Sequence, residues 1–231
     1  MRKQLFAAPP ESIRNVVEDG SLSVQIKNQA EEIEVLILEQ IGADPWDGTG
    51  VIGSEVRETL KSNRGKPVNV AINSPGGLVN DGLMIYNVLA EHEGKVTVTI
   101  EGLAYSAASF IAMAGDHIRM HENSDIGIHR AWGFAMGNRN VMMDTADWLE
   151  KTDDHLIDIY QQRTGQSRDQ IIEWIDGAVD GTLFSAKEAV ENGFADELIA
   201  MKKKKKPASK NSYARRAAAM NKLKLKGKWN G

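Results

Sequence analysis

Apolar residues in the first 200 positions recur in short runs, separated by glycine-containing turns and by stretches of helical spacing. The runs Ile33-Glu34-Val35-Leu36-Ile37-Leu38, Val68-Asn69-Val70-Ala71-Ile72 and Val96-Thr97-Val98-Thr99-Ile100 predict three strands. Between the first two, a loop from Gly42 to Gly53 leads to a helix near Ser54–Lys61. Between the second and third, Leu78, Leu83, Ile85, Val88 and Leu89 recur with helical spacing through Glu91, and Gly94 closes the unit. Strand, glycine-rich turn and helix in repetition predict βαβ units around a largely parallel sheet. The repetition is one of architecture, not of sequence.

The longest predicted helix runs from Val141 to Arg163. Val141, Thr145, Trp148, Leu149, Thr152, Leu156, Ile159 and Tyr160 form one apolar stripe along it, and Gly165 ends it. Such a helix should cap the core or make a subunit contact. Two capping boxes, Ser167-Arg168-Asp169-Gln170 and Ser185-Ala186-Lys187-Glu188, start shorter helices, because each side chain satisfies an N–H left unpaired at the helix start.

Three segments carry chemistry. In Gly102-Leu103-Ala104-Tyr105-Ser106-Ala107-Ala108-Ser109, a hydroxyl sits on a sharp turn between a strand and a helix predicted through Ala114. Small neighbours at Ala104, Ala107 and Ala108 leave room for a peptide backbone. Ser106 reads as a nucleophile, or more simply as a helix cap; Ser109 is its neighbouring competitor and is expected on the packing side of the helix. In Asn73-Ser74-Pro75-Gly76-Gly77 the proline extends the chain before it, and the glycines are free to adopt positive φ, which can aim successive N–H groups at one spot. Ile126-Gly127-Ile128-His129 ends a strand on an imidazole, the usual base for serine. His117 and His121 are its rivals. These two would share one face of a strand with no third ligand in view, so no metal and no cofactor is expected.

Length and composition fit an enzyme of one domain with an appendage: 231 residues, 42% of them hydrophobic, can bury a full core. The absence of cysteine excludes disulfides, zinc–thiolate centres and thiol nucleophiles. No apolar stretch reaches the length of a membrane span, so a soluble, cytoplasmic protein is expected. The net charge of −4 hides an asymmetry. Residues 201–231 hold 12 of the 28 Lys and Arg and no acidic residue, which leaves 16 basic against 32 acidic residues, a net −16, in residues 1–200. The expected organisation is an N-terminal segment 1–30, a catalytic domain 31–200 and a disordered basic tail 201–231. The Lys202–Lys228 stretch suits an acidic protein or a nucleic acid, and Ala217–Leu225 can form a short helix on a partner.

Taken in order, several motifs resemble the Clp-type serine peptidases, and most closely the Clp-like prohead (head maturation) proteases of tailed bacteriophages. The similarity runs from about Ile33 to Ile199. It is carried by Ile72-Asn73-Ser74-Pro75-Gly76-Gly77, Gly102 to Ser109, Ala112-Met113-Ala114-Gly115-Asp116, Ile128-His129, Thr164-Gly165-Gln166-Ser167 and Ala189-Val190-Glu191-Asn192-Gly193-Phe194-Ala195-Asp196. The resemblance implies a crotonase-like α/β fold built from ββα/βαβ units. It also implies Ser106 as nucleophile, His129 as general base, and an oxyanion hole from N–H groups around Gly76, Gly77 and Ala107. A peptide or protein substrate and a homo-oligomeric ring, often two stacked heptamers, follow from the same resemblance. So does a place in the host cytoplasm, including the prohead, cleaving scaffold or capsid protein.

Two departures from the family pattern stand out. The acidic residue of the pattern falls before a segment that appears here as Leu183-Phe184-Ser185-Ala186, and the matching position is Gly181. Asp180, one residue away, is the first candidate for the third triad member, and Asp176, one helical turn earlier, the second. After His129 the chain reads Arg130-Ala131-Trp132, where the family commonly has a polar residue and then proline. Other readings remain open. They are an ATPase-coupled degradative subunit, a crotonase-type acyl-CoA enzyme, which would not need Ser106 paired with His129, and a non-catalytic assembly scaffold. A Ser-Lys peptidase of the signal-peptide-peptidase type is disfavoured by His129.

Overall fold

Alternate buried positions along the strands make one face of the sheet a core wall. In the computed structural model, which describes residues 24–28, 31–43, 50–177 and 180–201, β2 (Ile33–Ile37), β3 (Val68–Ser74) and β4 (Val96–Tyr105) follow β1 (Val24–Asn28). Ile33, Val35, Ile37, Val68, Val70, Ile72, Val96, Val98 and Ile100 are all buried, while the residues between them stay partly open. Each such side chain contributes about 1.5–3 kcal/mol by leaving water.

The strands β2, β3, β4, β5 (His117–His121) and β8 (Glu197–Ile199) are parallel neighbours in that order, and β1 joins β2 antiparallel. The parallel sheet fits the expected α/β architecture. β1 lies in the 1–30 segment, which the hydrophobic pattern leaves without an element. Across the sheet run α1 (Gly53–Ser62) and α2 (Val79–Ala90), with the short α3 (Ala107–Ala112) behind β4. The last of these stops two residues short of the expected Ala114.

β4 is twice the length its five-residue apolar core suggests, because two different strands continue its pairing. Its first half pairs with β5 and its second half, Leu103 to Tyr105, pairs in parallel with β6 (Asp125–Ile128). β6 in turn pairs antiparallel with β7 (Thr182–Ser185), a strand the sequence pattern does not reveal. The chain divides into two units after Ala200, where the charge changes sign. The expectations for a disordered tail and a helix at Ala217–Leu225 lie outside the described residues.

The long helix is α4 (Arg139–Thr164), capped by the Asn138 side chain at its start and by Gly165, at φ 72°, at its end. Only its second half packs on the body, through Thr152, Asp153, Leu156, Ile157 and Tyr160. Val141 and Trp148, expected on the apolar stripe, stay exposed, as do Met142 and Met143. After it come α5 (Arg168–Asp176) and α6 (Ala186–Glu191). Ser185 and Glu188 form the full reciprocal box. The Ser167 box is only half made: Ser167 Oγ accepts from the Gln170 N–H, but the Gln170 amide turns forward to Glu173 at 3.1 Å.

Candidate active site

Ser106 stands at the break between β4 and α3 with φ 56° and ψ −124°. Among the described residues it is the one non-glycine with positive φ. A side chain held in that conformation carries a strain of about 1–3 kcal/mol, which the surroundings must overcome. Two contacts do so. The Ser106 N–H donates to Gly127 O at 3.0 Å, and Ser109 Oγ donates to Ser106 O at 2.6 Å. Ser109 is fully buried, as expected, and its hydroxyl also meets Tyr160 Oη on α4 at 2.7 Å. Burial raises the Tyr160 phenol above its ordinary range, so it stays protonated. The capping reading of Ser106 fails, because its side chain makes no cap hydrogen bond.

The turn after β3 is folded against this serine. A bulge between Ile72 and Ser74 lets Asn73 Oδ1 accept the N–H of Leu103 at 3.1 Å. Ser74 Oγ donates to Glu39 O at 2.6 Å and accepts from the Gly76 N–H at 3.1 Å. Gly76 has φ 94°, and a β-carbon there would lie 2.6 Å from Ser106 Cβ and 2.8 Å from the Ala107 nitrogen. Glycine is thus required both by conformation and by space. Because the Gly76 N–H is already bound to Ser74, Gly77 and Ala107 are the remaining donors of the three expected around the oxyanion position.

Pairing of β4 with β6 brings the histidine in. Tyr105 faces Gly127 in the register, so the residue that ends β4 lies beside the residues that end β6, and Ser106 and His129 open into one cavity. The glycine is needed: a β-carbon on Gly127 would lie 2.2 Å from the Tyr105 ring. That ring stacks on His129 with centroids 5.0 Å apart, and Trp132 meets the imidazole edge-on at 5.9 Å. His129 Nδ1 is buried and has no hydrogen-bond partner. Neither rival lines this cavity. His117 bonds Glu197 at 3.0 Å at the β5–β8 edge, and His121 ends the same strand.

Antiparallel pairing of β7 with β6 decides which carboxylates come near. Ile128 faces Thr182, so Gly181 lies directly against the histidine, where a β-carbon would fall 2.1 Å from Ile128 O and 2.5 Å from His129 Cβ. With φ 87° as well, the position that the family pattern assigns to an acid cannot hold one in this conformation. Asp180 does line the cavity with Ser106 and His129. Its carboxylate accepts from Trp132 Nε1 at 3.2 Å, not from His129, and its backbone carbonyl accepts from Tyr105 Oη at 3.4 Å. Burial, and then the Asp180 charge, raise the Tyr105 phenol pKa.

Asp176 is directed elsewhere. Its two oxygens accept from Arg130 Nε at 2.5 Å and Nη2 at 3.0 Å. That hydrogen bonding lowers the Asp176 pKa and raises that of Arg130. A residue the sequence did not single out completes this cluster: Asp153, buried on α4, accepts from Arg130 Nη1 at 3.0 Å and from the Ala131 N–H at 2.7 Å. The unusual Arg130-Ala131-Trp132 run was the available signal, since it puts a charge directly after the histidine.

The cavity has a volume of about 290 Å³. Apolar and aromatic side chains, among them Val79, Phe110, Leu156 and Trp132, dominate its wall, and Ser106, His129, Arg130 and Asp180 supply polar groups. Among the described residues, no group of three or more His, Asp or Glu is placed to hold a metal ion. No described helix is long and apolar enough to cross a membrane. A hydroxyl on a strained turn, an imidazole and glycine-rich backbone at one apolar cavity suit acyl transfer. The family model described as Clp protease matches residues 58–202, which include every element of this cavity.

Proposed function

This chain belongs to the Clp protease family, and on that premise we propose that it is a serine endopeptidase in which Ser106 is the nucleophile and His129 the general base. Membership supports serine peptidase activity in general; the residue assignment rests on the convergence of the strained Ser106 turn and His129 on one cavity. In the proposed reaction His129 takes the Ser106 proton as Oγ attacks the peptide carbonyl carbon. Charge developing on the carbonyl oxygen is met by the N–H groups of Gly77 and Ala107. The C–N bond then breaks, His129 delivers its proton to the leaving amine, and a water activated by the same imidazole hydrolyses the acyl-enzyme.

Asp180 is the proposed orienting carboxylate. It borders the cavity, whereas Asp176 is engaged by Arg130. A turn of its carboxylate from the Trp132 indole to the unpartnered Nδ1 of His129 would fix the tautomer needed to accept the Ser106 proton. The apolar wall favours an apolar side chain next to the cleaved bond. The motif resemblance supports a role in processing scaffold or capsid protein during prohead maturation, within a ring of identical subunits. The exposed apolar side chains of Trp132, Phe134, Met136 and the first half of α4 give such subunits a surface to bury. The basic 201–231 segment provides a tether to an acidic partner.

The test is labelling of the full chain with a fluorophosphonate probe, with the modified residue read by peptide mass spectrometry. Labelling at Ser106 that is lost in both Ser106→Ala and His129→Ala is the expected result. No labelling in any assembled form would overturn the proposal in favour of a non-catalytic scaffold.

A further inference from the structure

Asp153 is a buried carboxylate that the proposed reaction does not use. It sits on α4 with 6% of its surface exposed, and each of its oxygens is engaged: Oδ1 by the N–H of Ala131, Oδ2 by the guanidinium of Arg130. Arg130 presents its other edge to Asp176 on α5 through two further hydrogen bonds. The two residues that follow His129 are therefore held by backbone and by side chain at once, between two helices. His129 itself has no such anchor, because its Nδ1 is unpartnered and its ring is located by stacking on Tyr105. Its placement then depends on the backbone that carries it.

Taking a carboxylate out of water costs several kcal/mol unless its hydrogen bonds are replaced, and an apolar residue of similar size packs a helix at least as well. A buried charge whose two oxygens both grip the segment beside the base serves geometry better than stability. We propose that Asp153, acting through Arg130 and Ala131, is a positioning residue that sets the His129 imidazole against Ser106. The proposal rests on the serine peptidase reading above.

Its test compares Asp153→Asn, Arg130→Lys and Arg130→Gln with Arg163→Gln, which breaks an ion pair to Asp196 that contacts nothing in the cavity. Hydrolysis of a fluorogenic peptide with leucine before the cleaved bond, and the rate of fluorophosphonate labelling, are read below every variant's melting temperature. A small displacement of a reacting group costs up to about 100-fold, so Asp153→Asn should lower kcat about 10- to 100-fold. KM should stay within about threefold, since Asp153 does not itself line the cavity. Arg130→Lys should recover part of the rate lost in Arg130→Gln, and Arg163→Gln should melt earlier with kcat unchanged. Wild-type kcat in folded Asp153→Asn, or a kcat that merely follows melting temperature across all four variants, overturns the positioning role. Should Asp153→Asn not fold, the two Arg130 variants, at a half-exposed side chain, decide by the same criterion. Absence of labelling in the wild type overturns the serine reading, and the positioning role with it; labelling with unaltered kcat in the variants overturns the positioning role alone.

Discussion

At Ser106 a single dihedral separates a helix cap from the proposed nucleophile. The residue occupies the position a cap would, yet at φ 56° its side chain makes no cap hydrogen bond. The same scale separates the two candidate carboxylates. Asp176 and Asp180 are four positions apart, but one faces Arg130 and the other the cavity. If Asp180 orients His129, Asp180→Asn should lower kcat about 10²–10⁴-fold by leaving the imidazole in the wrong tautomer. Asp176→Asn should give a far smaller loss. Steady-state hydrolysis of one peptide by the two variants checks the contrast, and equal effects would remove Asp180 from the triad. The sequence ranks Asp180 before Asp176 by spacing alone; that Asp180 borders the cavity while Asp176 meets Arg130 is decided by the chain path past Gly181, which lies against Ile128 and His129.

Elements transmit these local settings. α4 reaches the serine turn through a buried hydrogen bond, Tyr160 Oη to Ser109 Oγ, and that hydroxyl holds the Ser106 carbonyl. Tyr160→Phe leaves the ring packed and deletes the bond, so about 1–2 kcal/mol of stability should be lost, measurable by chemical denaturation. Asp196, before β8, joins three elements: its carboxylate accepts from the Ile118 N–H of β5 at 2.7 Å and pairs with Arg163 of α4. Burial opposes its ionisation, but that N–H and the Arg163 charge outweigh it and hold the pKa below the ordinary carboxylate range. A pKa depressed by folding means stability that is complete above the unfolded value, near 4, and lost as pH falls through the folded value. Asp196→Asn should therefore flatten the acid limb of the melting-temperature profile while lowering stability at neutral pH. An unaltered acid limb would show the pair to be immaterial.

For the molecule as a whole, the exposed apolar surface is the feature that one chain leaves unexplained. Trp132, Phe134 and Met136 are 72%, 91% and 84% exposed, and the first half of α4 adds Val141, Met142, Met143 and Trp148. If identical subunits bury this surface, sedimentation velocity should show the wild type as a ring-sized oligomer. Phe134→Glu and Trp148→Glu should then shift it toward the monomer with little change in the fold by circular dichroism. A wild type that stays monomeric at all concentrations would remove the ring from the proposed function. The helical stripe itself was readable from spacing, but the point along it where packing ends was not. Periodicity marks a face, whereas the neighbour that covers it is set by the chain path.

From the sequence alone came the parallel core strands, the long helix with its glycine stop, the glycine turn, and Ser106 and His129 as residues to watch. All of these depend on interactions within a few residues: alternation, capping and permitted φ. The tertiary structure decided what depends on pairing between distant segments. β6 against the end of β4 brought His129 into the cavity of Ser106, and β7 against β6 placed Asp180 there and left no room for a side chain at Gly181. It also brought Asp153, 22 positions further on, against Ala131 in the segment after His129. Such contacts are fixed by register and burial, which no local pattern encodes.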